Sequence, residues 1–235
     1  MTTPAYELQD ITKLYPRGGG VESLNASIPR GKITGLLGPN GAGKTTVIRM
    51  LAGISKPQSG EIRINGEPVG ETPQLRSKIG LVMDGGWSSP GIAAKKDIIS
   101  VAQALGVREQ RVGEVVLKAG LDEQALGKKF DKFSTGMKQR YAIATALLAD
   151  PEIMILDEPT NGLDPQGIDW LRAFLRESAA DGKTVILSSH LLSEVEQIVD
   201  RALIIDRKVL FDGELDELAT DGSTLHSRFL EIIGR

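Results

Sequence analysis

One stretch constrains this chain more than any other: ITGLLGPNGAGKTT, residues 33 to 46. It opens as an apolar run of strand length and passes through a Gly-rich turn. It then continues with helical spacing through Val47, Ile48 and Leu51, with Gly53 as a stop. Gly38 and Gly43, followed by Lys44 and Thr45, match the spacing G-x-x-x-x-G-K-[ST] of a phosphate-binding loop. A tri- or diphosphate concentrates negative charge, so a loop that wraps it must point successive backbone N–H groups inward, and side chains would obstruct them. Gly38, Gly41, Ala42 and Gly43 meet that demand, while Pro39 and Asn40 complete the loop and Thr46 follows it. The positive end of the following helix points at the same anion, Lys44 can reach the outer phosphates, and the Thr45 hydroxyl can ligate Mg²⁺.

The chain has 235 residues, enough for one large α/β domain or for a domain with an inserted lobe. A net charge of −3 gives no electrostatic footprint for nucleic acid. With no cysteine there can be no disulfide or thiolate site, and His190 and His226 alone argue against zinc. Mg²⁺ held by oxygen ligands is the metal to expect. The opening MTTPAYELQD lacks the basic and apolar regions of a signal peptide, and no run approaches the ~20 apolar residues that span a bilayer. The expected location is therefore the cytosol, with any pore supplied by another chain.

Residues 5 to 15 and 21 to 30 read as short strands around the turn PRGGG at 16 to 20, and Ile62 and Ile64 run into the hairpin signal Asn65-Gly66. Together they predict a small antiparallel sheet beside the phosphate loop. After an apolar strand at Ile79 to Met83, the texture turns helical from Pro90 to Asp150. Two amphipathic helices there end at Gly106 and Gly120. This stretch reads as an inserted helical lobe. Its last helix is capped by Ser134 and buries Ile143, Ala144, Leu147 and Leu148; with Gly136 in the first turn, its N-terminus can serve as a second anion site or as an ordinary cap.

The apolar run Ile153 to Leu156 delivers Asp157 and Glu158 to a strand's C-terminal end, the edge where open α/β sheets bind ligands. Asp157 is then placed to hold Mg²⁺ opposite Thr45, and Glu158 to act as general base on an attacking water. Asp164-Pro165 reads as a helix cap, the strand Lys183 to Ser189 ends at His190, Ala202 to Phe211 forms a hairpin, and residues 214 to 235 form a short helical tail.

In this order the motifs resemble the nucleotide-binding subunits of ATP-binding cassette (ABC) transporters over nearly the whole chain. GPNGAGKTT at 38 to 46 is similar to their Walker A, FSTGM at 133 to 137 to their signature, and IMILDEP at 153 to 159 to Walker B with its catalytic Glu. NGLD at 161 to 164 is similar to the D-loop and SSH at 188 to 190 to the switch His. The resemblance implies a P-loop NTPase α/β core with a mixed sheet (1–84 and 151–213), an antiparallel β subdomain within it, an inserted helical subdomain (85–150) and a tail (214–235). It implies ATP and Mg²⁺ as cofactors, and Lys44, Glu158 and His190 as the catalytic set. It also implies a head-to-tail dimer in which Ser134 and Gly136 face the γ-phosphate bound by a second subunit, Asp164 lies at the interface, and Tyr15 stacks on adenine. A separate membrane permease is the other implied partner, which would hold the subunit at the cytoplasmic face of the membrane.

Two departures stand out. Asp84 occupies the place where the family usually has a Gln that touches Mg²⁺ and links to the permease, so the resemblance implies it as a further residue for Mg²⁺ or its water and for coupling, and Thr135 and Met137 replace the commoner Gly and Gln of the signature. A signature ending in Gly-Met, an NGLD loop and a short tail resemble the exporter subclass that includes drug and antibiotic-resistance transporters. The alternatives are a soluble ABC ATPase of translation or DNA repair and a weakly hydrolytic regulatory cassette.

Overall fold

Two sheets carry the chain in the computed structural model, which describes residues 3–16, 18–69, 77–83, 91–190, 195–218 and 224–234. The first is antiparallel, with strands β1 (Tyr6–Leu14), β2 (Gly20–Ile28), β4 (Ser59–Ile64) and β5 (Glu67–Pro68) in the order β2-β1-β4-β5. The turn Asn65-Gly66 joins β4 to β5, with Arg63 opposite Pro68 and Ile64 opposite Glu67, as its hairpin chemistry predicts. Gly20, which the sequence suggested as part of the turn, pairs with Leu14 as the first residue of β2.

The second sheet is mixed, in the order β10-β9-β3-β8-β7-β6. Its strands are β3 (Ile33–Leu37), β6 (Ile79–Val82), β7 (Ile153–Leu156), β8 (Thr184–Ser189), β9 (Arg201–Asp206) and β10 (Lys208–Glu214). All pair in parallel except β10 with β9, the hairpin expected near residues 202 to 211. Strands β3, β7 and β8 are buried at every position, which matches their near-continuous apolar sequences.

Side chains alternate across an extended strand, so each strand of this sheet feeds two cores. Ile153, Ile155, Ile186, Leu203 and Ile205 pack on one side with the antiparallel sheet and helix α1 (Lys44–Leu51). Met154, Leu156, Val185, Leu187, Ala202 and Ile204 pack on the other with the helical lobe and helix α6 (Pro165–Ala180). The lobe consists of α2 (Ala94–Ala104), α3 (Glu109–Lys118), α4 (Glu123–Gly127), a 3-10 turn (Phe130–Lys132) and α5 (Thr135–Ala146). Ile143, Ala144, Leu147 and Leu148 are buried, as the helical pattern predicts, and Phe130, Phe133 and Tyr141 pack as an aromatic cluster with centroids 5.6 to 5.9 Å apart. Lys128, Lys129 and Lys132 are exposed. Among the described residues the tail contributes two short helices, α7 (Leu215–Leu218) and α8 (Leu225–Ile232), whose Leu218, Leu225 and Phe229 join the lobe-side core.

Candidate nucleotide site

Because β3, β8 and β7 are adjacent and parallel, their C-terminal ends open onto one edge. β3 runs into the loop 38–43, β7 into Asp157 and β8 into His190. A cleft of about 570 Å³ lies at this edge, lined by the phosphate loop, Tyr15, Glu158, Asn161 and His190 among others. Tyr15 lies just past the end of β1, is 37% exposed and lines this cleft.

The loop depends on glycine at two positions. Gly43 has φ +101°, and a Cβ there would come within 2.5 Å of Val21 Cγ1 and 2.8 Å of the Gly20 carbonyl oxygen. Gly38 has φ +157°, and its Cβ would collide with the Ile205 carbonyl oxygen. Residues 38 and 43 can therefore fold back against β9 and β2 only without side chains.

Lys44, the first residue of α1, is 7% exposed and donates to the carbonyl oxygens of Gly38 (2.8 Å) and Pro39 (3.3 Å). Its Nζ also lies 3.5 Å from Glu158 Oε1. One residue on, the Thr45 hydroxyl donates to Asp157 Oδ2 at 3.0 Å. The side-chain alternation that sends Ile153 and Ile155 toward α1 sends Asp157 the same way, so the carboxylate meets the first turn of that helix.

Glu158 departs from the strand: its φ of +49° is left-handed, a conformation that costs a non-Gly residue of order 1–3 kcal/mol and persists only where surroundings over-determine it. Those surroundings are visible. Glu158 N–H donates to Ser188 Oγ at 2.9 Å, its Oε2 lies 2.7 Å from His190 Nδ1, and the same oxygen accepts from the His190 N–H at 3.3 Å. The carboxylate is 15% exposed, enough to meet a water in the cleft.

Ser134, Gly136 and Asp164 are not in this cleft. Ser134 is exposed and caps α5 by accepting from the Met137 N–H at 3.2 Å, while Asp164 caps α6 by accepting from the Gly167 N–H at 2.8 Å. The two caps share one edge: a Cβ on Gly162 would come within 2.8 Å of Thr135 Cγ2, and one on Gly136 within 3.7 Å of Leu163 Cδ2. Arg140 braces this edge from behind, stacking over Trp170 at 3.9 Å and donating to the Ala119 carbonyl at 3.3 Å. Burial lowers its guanidinium pKa, and the charge of Asp164 pulls the other way. Asp84 lies outside the described residues.

Ser188 and Asn161 are site residues that residue-by-residue reading passes over. A hydroxyl near a strand end looks like ordinary strand content, and the only sequence signal for Ser188 is its place two residues before His190.

A Gly-lined loop opening a helix, a Thr–Asp pair and a Glu–His pair on one sheet edge define a P-loop nucleotide-hydrolysing class of protein. The chain belongs to the ABC transporter family, whose model matches residues 21–161, and is an ATP-binding, ATP-hydrolysing subunit of that family. It is 42% identical over 213 residues to the bacitracin transport ATP-binding protein BcrA of Bacillus licheniformis, covering 89% of this chain and 69% of that one. It is 37% identical over 212 residues to the lantibiotic transport ATP-binding protein SrtF of Streptococcus pyogenes, covering 89% and 91%. Among solved structures, an ATP-binding subunit of an ABC transporter superposes with TM-score 0.86 at 28% identity, covering 97% of this chain and 99% of the other. The dimeric post-hydrolysis cassette MJ0796 bound to ADP and Pi superposes with TM-score 0.80 at 25% identity, covering 89% and 98%.

Proposed function

We propose that this chain powers export of a drug- or antibiotic-class substrate through a separate membrane permease, by binding and hydrolysing ATP between two copies of the cassette. The relatives named for bacitracin and lantibiotic transport support the export reading, and the dimeric cassette supports the sandwich. Among the described residues no helix is long and apolar enough to cross a membrane, so the transport path is assigned to the permease, which would hold this subunit at the cytoplasmic face.

In this reading the backbone N–H groups of Gly38, Asn40, Gly41 and Gly43 and the Lys44 ammonium bind the phosphates, and Tyr15 stacks on the base. Thr45 and Asp157 would hold Mg²⁺; the 3.0 Å contact between their oxygens already pairs two hard donors, which suits an ion that takes one or two carboxylates and keeps phosphate and water ligands. Bound there, the ion would neutralise charge on the phosphate oxygens. Glu158 orients the attacking water and takes its proton as the new O–P bond forms and the bond to ADP breaks, with His190 holding the carboxylate in place. Ser134 and Gly136 of the second copy present a helix N-terminus and a hydroxyl to the γ-phosphate, so closure depends on that group being intact. Asp164 lies at the same interface.

The convergence of Lys44, Thr45–Asp157 and Glu158–His190 in one cleft carries this reading. Glu158→Gln tests it. General-base loss should lower ATP turnover by about 10²–10⁴-fold. Because the binding groups remain, the variant should retain ATP and run as a dimer with ATP and Mg²⁺ in size measurements. Wild-type turnover, or a monomer under saturating ATP, would overturn it.

A further inference from the structure

Ser188 is fully buried on β8, and it touches both acids of the site without facing the cleft itself. Its hydroxyl donates to Asp157 Oδ1 at 2.6 Å and accepts from the Glu158 N–H at 2.9 Å. The register explains why it can. Leu187 pairs with Leu156, so the next residues along the parallel strands, Ser188 and Asp157, stand side by side. Ser188 shares the parity of Ile186, whose side chain faces the α1 core, and Asp157 that of Ile155, which faces the same way. Asp157 is thereby clamped between two hydroxyls, Thr45 on Oδ2 from the phosphate-loop helix and Ser188 on Oδ1 from the strand.

The second bond acts on Glu158. A left-handed backbone at a non-Gly residue must be held by its neighbours, and Ser188 Oγ is the side-chain acceptor for that residue's N–H. A rotated Glu158 peptide would swing the carboxylate away from His190 Nδ1 and from Lys44. The donor–acceptor logic also fixes the hydroxyl's direction. Its single proton goes to the carboxylate, leaving a lone pair for the N–H, so one group satisfies both without competition. An alanine there would fill nearly the same volume and do neither.

We infer that Ser188 is a positioning residue for hydrolysis: it orients the Asp157 carboxylate and locks the Glu158 backbone, and so sets the geometry of water activation without touching nucleotide. This deepens the proposed role of Glu158 and rests on it.

The test uses the purified full chain as wild type, Ser188→Ala, Ser188→Thr, Ser188→Cys and Glu158→Gln, measuring steady-state ATP turnover, ADP affinity without Mg²⁺ and Tm. Removal of an outer-shell partner costs about 10–100-fold, so kcat of Ser188→Ala should fall by that much. Its Mg²⁺-free ADP affinity should stay at the wild-type value, since the loop and Lys44 are untouched. Ser188→Thr, which keeps the hydroxyl, should recover most of the rate; if the added methyl unfolds it, Ser188→Cys should lie between wild type and Ala, as a weak donor would. Wild-type kcat in Ser188→Ala beside an inactive Glu158→Gln would overturn the role of Ser188 alone. A rate loss matched by lost ADP affinity and lowered Tm would reduce Ser188 to a structural residue and overturn it too. Wild-type turnover in Glu158→Gln would remove both this inference and the general-base reading beneath it.

Discussion

Removing the charge of Lys44 while keeping its stem isolates the electrostatic part of phosphate binding. Lys44→Met does this: the aliphatic chain stays packed, and only the ammonium is lost. The group is 7% exposed and lies within 3.5 Å of three oxygens, so it works in a partly desolvated setting and not in bulk water. At an effective dielectric of 20, a unit charge about 4 Å from a phosphate oxygen is worth about 4 kcal/mol. Converted through the affinity relation, that is about a 10³-fold weaker Kd for ATP. A second effect has the same sign. Glu158 Oε1 loses its cationic neighbour, so an uncompensated carboxylate then faces the incoming phosphates. Lys44→Met combined with Glu158→Gln should accordingly bind ATP more tightly than Lys44→Met alone. Equilibrium titration with a fluorescent ATP analogue reads the wild type, both single variants and the double variant, and thermal denaturation checks that the fold is intact. An unchanged Kd in Lys44→Met with an unchanged Tm would refute the argument, because the ammonium would then have to point at something other than phosphate.

Gly43→Ala puts a methyl within 2.5 Å of Val21 Cγ1 at a φ of +101°, so Tm should fall and nucleotide binding should be lost with it; wild-type behaviour in both assays would contradict the loop geometry. Burial pushes the phenols of Tyr6 and Tyr141 upward, the second also through its hydrogen bond to Asp97, so both stay neutral in the fold while the unfolded chain ionises near pH 10. Raised folded pKa values mean that this stability is complete below pH 10 and declines above it, by about 1.4 kcal/mol per pH unit for each phenol. Urea denaturation of wild type and Tyr6→Phe from pH 9 to 11 should show a shallower decline in the variant, and equal slopes would sink the assignment.

Much of this molecule was legible in local order. The spacing of Gly38, Gly43, Lys44 and Thr45 needs only a strand before it and a helix after it, and β3 and α1 supply both. Asn65-Gly66 specified its hairpin, and the periodicity of residues 135 to 148 specified which side of α5 is buried, because turn chemistry and helical period act over a few residues. Asp157 and Glu158 could be placed at a strand end, since an apolar run followed by acids leaves little else.

What the chain could not announce is which strands lie side by side. The order β3-β8-β7 brings residues from positions 45, 157 and 188 within hydrogen-bond reach, and that order follows from crossover packing across two cores, not from any local pattern. Ser188 shows the difference: in sequence it is one hydroxyl among two before a histidine, and only the register of β7 against β8 gives it two partners. Local composition thus determined the loop that receives phosphate, while long-range strand pairing decided which side chains surround it, because pairing depends on burying apolar faces far apart in the chain.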